Sequence, residues 1–195
     1  MREILCFVLF VILIGYKSIQ TENIPINEIQ TEKTPEIIQA EKLLEISLND
    51  LTKKQKQKLN RNLLPKVREI LDNAETLEIF ADFNKETKEF QIVGGLKPPN
   101  TVAKISDKSL KNSILESFYF DTAVSDGGAA GCFYPRHTIK ATHKGKTVEI
   151  IICYQCNSYK GSSSFGEIYG TLNYDESKSE KLLNYAVEKY GVDVQ

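Results

Sequence analysis

Apolar positions along the chain change their spacing several times, and each change marks an element. Residues 1–15 are an almost unbroken apolar run after a single basic residue, Arg2. Ile37, Ile38, Leu43, Leu44 and Ile46 have the spacing of a short amphipathic helix over Ile37–Ile46, and a second helix is expected from Thr52 through Asp72, running past Pro65. Leu77–Asp82 and Glu89–Val93 alternate as strands around the polar turn Asn84–Lys88. Gly94-Gly95 and Pro98-Pro99-Asn100 interrupt the chain, and Thr101–Ile105 is expected as a brief extended piece. Leu110, Ile114, Leu115 and Phe118 share one face of a helix capped by Ser106 or Asp107, which should end before Asp126-Gly127-Gly128. Phe165–Leu172 reads as a further strand. Ser177-Lys-Ser-Glu180 is a capping box opening a last helix, with Leu182, Leu183, Ala186, Val187 and Tyr190 as its apolar stripe and Gly191 as its end.

Between these lies a hairpin whose register can be read directly. Side chains alternate along a strand, so His137, Ile139, Ala141 and His143 share one face, as do Val148, Ile150, Ile152 and Tyr154. Matching the apolar faces across a turn at Lys144-Gly145 sets Ala141 opposite Val148, Ile139 opposite Ile150 and His137 opposite Ile152. A slip of one residue would expose the whole face.

The order of elements predicts an α+β fold, an antiparallel sheet of about five strands with helices on one face. Residues 1–18 read as a signal peptide or membrane anchor, since the apolar run suits a secretory segment better than a full span of roughly 20 residues. Residues 4–15 would form any membrane tether. Residues 19–40 are polar and punctuated by proline, as in a flexible spacer; 41–62 read as a helical lead-in and 63–195 as the α+β domain.

With 195 residues, 41% of them hydrophobic, the composition is that of a globular protein, and a formal net charge of −1 offers no electrostatic case for nucleic acid. Lys53, Lys54, Lys56, Lys58 and Arg61 make one stretch basic, which either attracts an acidic surface such as anionic lipid or is a solvated helix face. Asp126–Gly131 is rich in glycine but lacks the Gly-Lys-Ser/Thr ending of a phosphate loop, and Ser162-Ser163-Ser164 has no nucleophile-elbow context. Asp121 and Asp126 give no reason to expect an acid/base pair.

The chemistry that is concentrated is sulfur. Of four cysteines, Cys6 lies in the first apolar run, while Cys132, Cys153 and Cys156 all fall at one end of the hairpin. Export would let disulfides persist. In an uninterrupted ladder Cys132 and Cys156 lie on opposite faces, but Pro135 favours a bulge, and one extra residue there would set Cys132 across from Cys156. That pair is the favoured disulfide, closing a loop of about two dozen residues for roughly 3 kcal/mol in the chain-entropy model. No cofactor is called for. The alternative is zinc, because Cys132, His137, Cys153 and Cys156 offer a Cys₃His set; His143 is a poor further ligand, roughly 20 Å along the strand. A thioredoxin-like site would place Cys-x-x-Cys at a helix start, whereas polar residues with loop or strand character follow Cys156.

Cys132, Phe133, Pro135, Arg136 and His137, followed by Gly145-Lys-Thr-Val148 and Ile152-Cys153-x-x-Cys156, resemble the recurring core of a group of bacterial proteins that often carry export signals. The resemblance runs from Leu64 to Val192 and implies a bacterial, exported protein without assigning an activity. The expectation is thus an extracytoplasmic binding or structural module of the cell envelope with a cysteine-stapled hairpin, more readily a non-enzyme. The alternative is a thiol-redox or zinc-binding protein using Cys132, His137, Cys153 and Cys156, and Arg136 is a further candidate beside them.

Overall fold

The computed structural model describes residues 48–92, 99–173 and 177–194. The signal or anchor expected at 1–18, the spacer at 19–40 and the helix over Ile37–Ile46 lie outside the described residues.

After a single 3-10 turn at Leu48–Asp50, α1 (Lys53–Asn62) opens on a reciprocal cap: the Gln55 amide donates to the Thr52 hydroxyl, and the Thr52 amide donates to the Gln55 side chain. The single helix expected through Asp72 is two. A residue before proline is pushed toward extended backbone, Leu64 has ψ 142, and Pro65 restarts the helix as the first residue of α2 (Pro65–Asn73), where its missing amide proton costs nothing.

The remaining order is β1 (Leu77–Asn84), β2 (Glu89–Gln91), β3 (Thr101–Ile105), α3 (Lys108–Val124), β4 (His137–His143), β5 (Lys146–Cys153), β6 (Ser158–Ser163), β7 (Gly166–Thr171), α4 (Lys178–Tyr190) and β8 (Gly191–Asp193). Asp107 caps α3 by accepting from the Leu110 amide at 2.7 Å, and Ser177 caps α4 by accepting from the Glu180 amide at 3.2 Å.

Among the described residues the strands form one antiparallel eight-stranded sheet in the order β7-β6-β5-β4-β1-β3-β8, with β2 paired to β1. The class is α+β, as expected, but the sheet is larger than the expected five strands. The brief piece at Thr101–Ile105 is a fully paired strand beside β1, the polar stretch after Cys156 supplies β6, and the chain pairs with β3 as β8 directly after α4. The hairpin register agrees residue for residue: His137 opposes Ile152, Ile139 opposes Ile150 and Ala141 opposes Val148. Its two-residue turn has φ 49 at Lys144 and φ 72 at Gly145, the left-handed pair that matches strand twist.

One face of the sheet is buried, carrying Leu77, Ile79 and Ala81 of β1, Ile139 and Ala141 of β4, and Val148, Ile150 and Ile152 of β5. Residues of all four described helices, among them Leu59, Leu71, Ile114, Phe118 and Leu183, join that face in a single core. The other face carries charge, with Lys104 and Glu78 3.3 Å apart across β3 and β1. Helix α1 therefore belongs to the core through Leu59 although its other face is basic.

Gly161 of β6 tests how closely the central strands approach. A β-carbon built there would lie 2.0 Å from the carbonyl oxygen of Glu149 and 2.9 Å from the α-carbon of Ile150, both backbone of β5, whereas one on Gly131 would meet nothing within 4 Å. Gly161→Ala is expected to lower unfolding free energy by about 1–3 kcal/mol in urea denaturation, the range of an overpacked core, and Gly131→Ala to leave it within about 0.5 kcal/mol. Equal midpoints for the two variants would contradict this close approach.

Candidate functional site

Strand β5 ends at Cys153 and β6 begins at Ser158, which leaves Tyr154–Asn157 as the connecting loop. The Cys156 amide donates to the Cys153 carbonyl at 3.3 Å and the Asn157 amide to the Tyr154 carbonyl at 3.0 Å. Asn157 closes the turn at φ 50, a left-handed conformation that asparagine tolerates better than most side chains. The turn sets the α-carbons of Cys153 and Cys156 5.2 Å apart, within the usual reach of a disulfide, and their sulfurs are bonded at 2.07 Å.

This differs from the expected pairing of Cys132 with Cys156. The β4–β5 ladder stops at His137 and Ile152, and beyond it the chain folds back onto β6, with Cys153 opposite Ser158. Cys156 thus faces Cys153 across the turn instead of continuing along β5 opposite Cys132. Cys132 is a free, exposed thiol whose Sγ nevertheless lies 3.8 Å from that of Cys156.

The segment between α3 and β4 is held to this turn by its backbone. The Ala130 amide donates to the Cys156 carbonyl at 3.1 Å, the Tyr134 amide to Cys156 Sγ at 3.3 Å, and the Arg136 amide to the Ile152 carbonyl at 3.1 Å. Pro135, which cannot donate, is buried just before the ladder starts. Cys132, Tyr134 and Arg136 are exposed.

His137 is placed where the sequence puts it, opposite Ile152, but in the core. Its ring is 1% exposed and packs 4.9 Å from Phe90 and 5.9 Å from Tyr154 between centroids. Neither ring nitrogen makes a hydrogen bond among the described residues. Burial pushes its pKa down from 6.5 to about 3; Asn184 of α4 opposes that, and the Arg136 charge adds to it. The zinc set of Cys132, His137, Cys153 and Cys156 is not assembled: two of its sulfurs bond each other, and no group of three or more His, Cys, Asp or Glu among the described residues could hold a metal ion.

A buried polar chain anchors the same turn from below. The Tyr154 hydroxyl donates to Ser179 Oγ at 2.8 Å; Ser179 Oγ donates to Asp121 Oδ2 at 2.6 Å, and Ser177 Oγ donates to the same oxygen at 2.8 Å. The Ser179 amide adds a donor at 3.1 Å. Burial raises the Asp121 carboxyl pKa, and these hydrogen bonds work against it. Tyr154, the first of the two residues between the bonded cysteines, is thereby tied to the start of α4 and through Ser179 to Asp121 of α3. Sequence reasoning set Asp121 aside, yet its signal was present: it falls on the apolar face of α3, three residues after Phe118.

Beside the docked segment runs an open groove of about 550 Å³, lined in part by Lys58, Arg61, Phe133, Lys160 and Tyr169. Lys160 Nζ sits 4.2 Å from the centroid of the Phe133 ring. Lys58 Nζ donates to the Ser125 carbonyl, which joins α1 to the end of α3. Compared with models of protein families, with curated proteins and with solved structures, the chain matches none.

His137 supplies a test of this placement. A base whose folded pKa lies below its unfolded value destabilises the fold as pH falls from 6.5 toward about 3, because the unfolded chain then binds a proton that the folded chain refuses. The limiting slope is about 1.4 kcal/mol per pH unit. His137→Phe, which suits the flanking rings, should remove this component, so that stability measured by urea denaturation changes less between pH 7 and pH 5 than in wild type. An unchanged difference would place His137 in contact with water.

Proposed function

We propose that this chain is an exported module of the bacterial cell envelope that binds a partner through the surface built on the tied turn. The observation that carries the reading is the docking of residues 126–136. This segment has no helix or strand of its own, yet three hydrogen bonds fasten it to Ile152 and Cys156; it leaves Tyr134 49% exposed and lends Phe133 to the groove shared with Lys160 and Tyr169. Loops held on a rigid scaffold commonly carry binding residues, and aromatic side chains are enriched at interfaces. Export is supported by the apolar N-terminal run and by three cysteines gathered in one place, which suits an oxidising compartment. Among the described residues no helix is long and apolar enough to cross a membrane, so a tether would be residues 4–15.

Two measurements check the reading. A bridge between cysteines three positions apart is worth about 2 kcal/mol in the chain-entropy model. Replacing both Cys153 and Cys156 with serine should therefore lower stability by that order and speed amide exchange at Ala130, Tyr134 and Arg136, while β1 and β4 keep their protection. Faster exchange across the whole sheet would mean that the turn holds the fold and not the loop. In cell fractions, the protein should be found outside the cytoplasm with Cys153 and Cys156 blocked to alkylation; a cytoplasmic protein with all its thiols reactive would overturn export.

A further inference from the structure

We infer that Cys132 is the gate through which the buried Cys153–Cys156 bond exchanges with thiols from outside. The inference rests on the tied turn, not on the binding role. Cys153 and Cys156 are each 0% exposed, so a dissolved thiol has no path to either sulfur. Cys132 is exposed and its Sγ stands 3.8 Å from that of Cys156, close to van der Waals contact for two sulfurs. One residue thus borders both the solvent and the buried bond.

The chemistry needs no oxidant. Cys132 gives its proton to water, and its thiolate attacks Cys156 Sγ. A Cys132–Cys156 bond forms as the Cys153–Cys156 bond breaks, and the electron pair leaves on Cys153 Sγ, which takes up a proton. One disulfide and one thiol are present before and after. In the exchanged form the bond includes an exposed sulfur. An external monothiol, the reductant, can then attack Cys132 Sγ as its thiolate; it becomes bonded to Cys132, and the electron pair leaves on Cys156.

That departure is assisted where it occurs. The Tyr134 amide points at Cys156 Sγ from 3.3 Å, and a hydrogen bond to a sulfur strengthens as the sulfur gains negative charge. The Ala130 amide on the Cys156 carbonyl keeps the two segments together during the exchange. The site therefore accepts a small thiol, or an exposed cysteine of another protein, as a mixed disulfide at Cys132, and stores the alternative bond within the fold.

The test compares full-length wild type with Cys132→Ser, a substitution at an exposed position. Both oxidised proteins are treated with glutathione under native conditions, quenched with acid, alkylated and mapped by mass spectrometry. Wild type should lose the Cys153–Cys156 bond about tenfold or more faster than the variant, since the rate follows access to the attacked sulfur. It should also yield peptides with Cys132 joined to Cys156 or to glutathione. In denaturant, where access is equal, the two rates should converge. Equal native rates, or the absence of any bonded form of Cys132, would overturn the proposal. Untreated protein without a Cys153–Cys156 bond would overturn the tied turn and the gate together, and is recognised before glutathione is added.

Discussion

The pairing of β4 with β5 decides where every candidate group stands. Ile139 against Ile150 and Ala141 against Val148 are buried pairs on the one covered face of the sheet, so a shift by one residue would turn both sets to solvent. In that register the ladder ends at His137 and Ile152. The segment entering β4 and the turn leaving β5 are then neighbours, and Cys132 meets Cys156 without either lying in a strand.

What happens past the ladder is set by polar contacts and not by apolar pairing. Tyr154 sends its hydroxyl down to Ser179, and through it to Asp121, while its ring meets His137, so the turn is held at once to two helices and to β4. A buried carboxylate is costly to desolvate unless donors surround it, and here two serine hydroxyls and an amide do so. Above the turn, backbone amides of the 126–136 segment complete the arrangement. The disulfide ties a place that hydrogen bonds already define from both sides.

Elements with regular apolar spacing are legible in the sequence: the β4–β5 register, α3, whose cap is Asp107 of the two residues the sequence offers, and α4 between Ser177 and Gly191. Strand β6 was not, because its only large buried residue is Tyr159 and glycine or serine fills most of the rest; its partners on both sides supply the pairing. Strand β8 is three residues long and mostly exposed, and it exists because α4 ends beside β3. Pro65, across which the apolar spacing predicts one continuous helix, instead starts a new one. At the site, the gathering of Cys132, Cys153 and Cys156 followed from the hairpin, but the bonded pair did not. Choosing it required knowing that β5 turns back into β6 at Cys153. His137 belongs with Phe90 and Tyr154 as a core ring, a role that its place opposite Ile152 already implied.

The tied turn, and the binding surface and exchangeable sulfur proposed for it, all rest on one hairpin meeting one loop. The arrangement is best tested by solution NMR of the oxidised protein, which reads both pairing and proximity. Cys153 and Cys156 should show the β-carbon shifts of disulfides and Cys132 that of a thiol, with cross-peaks linking the Cys132 and Cys156 side chains and the Tyr134 and Cys156 residues. Thiol shifts at all three positions, or no cross-peak between Cys132 and Cys156, would contradict it.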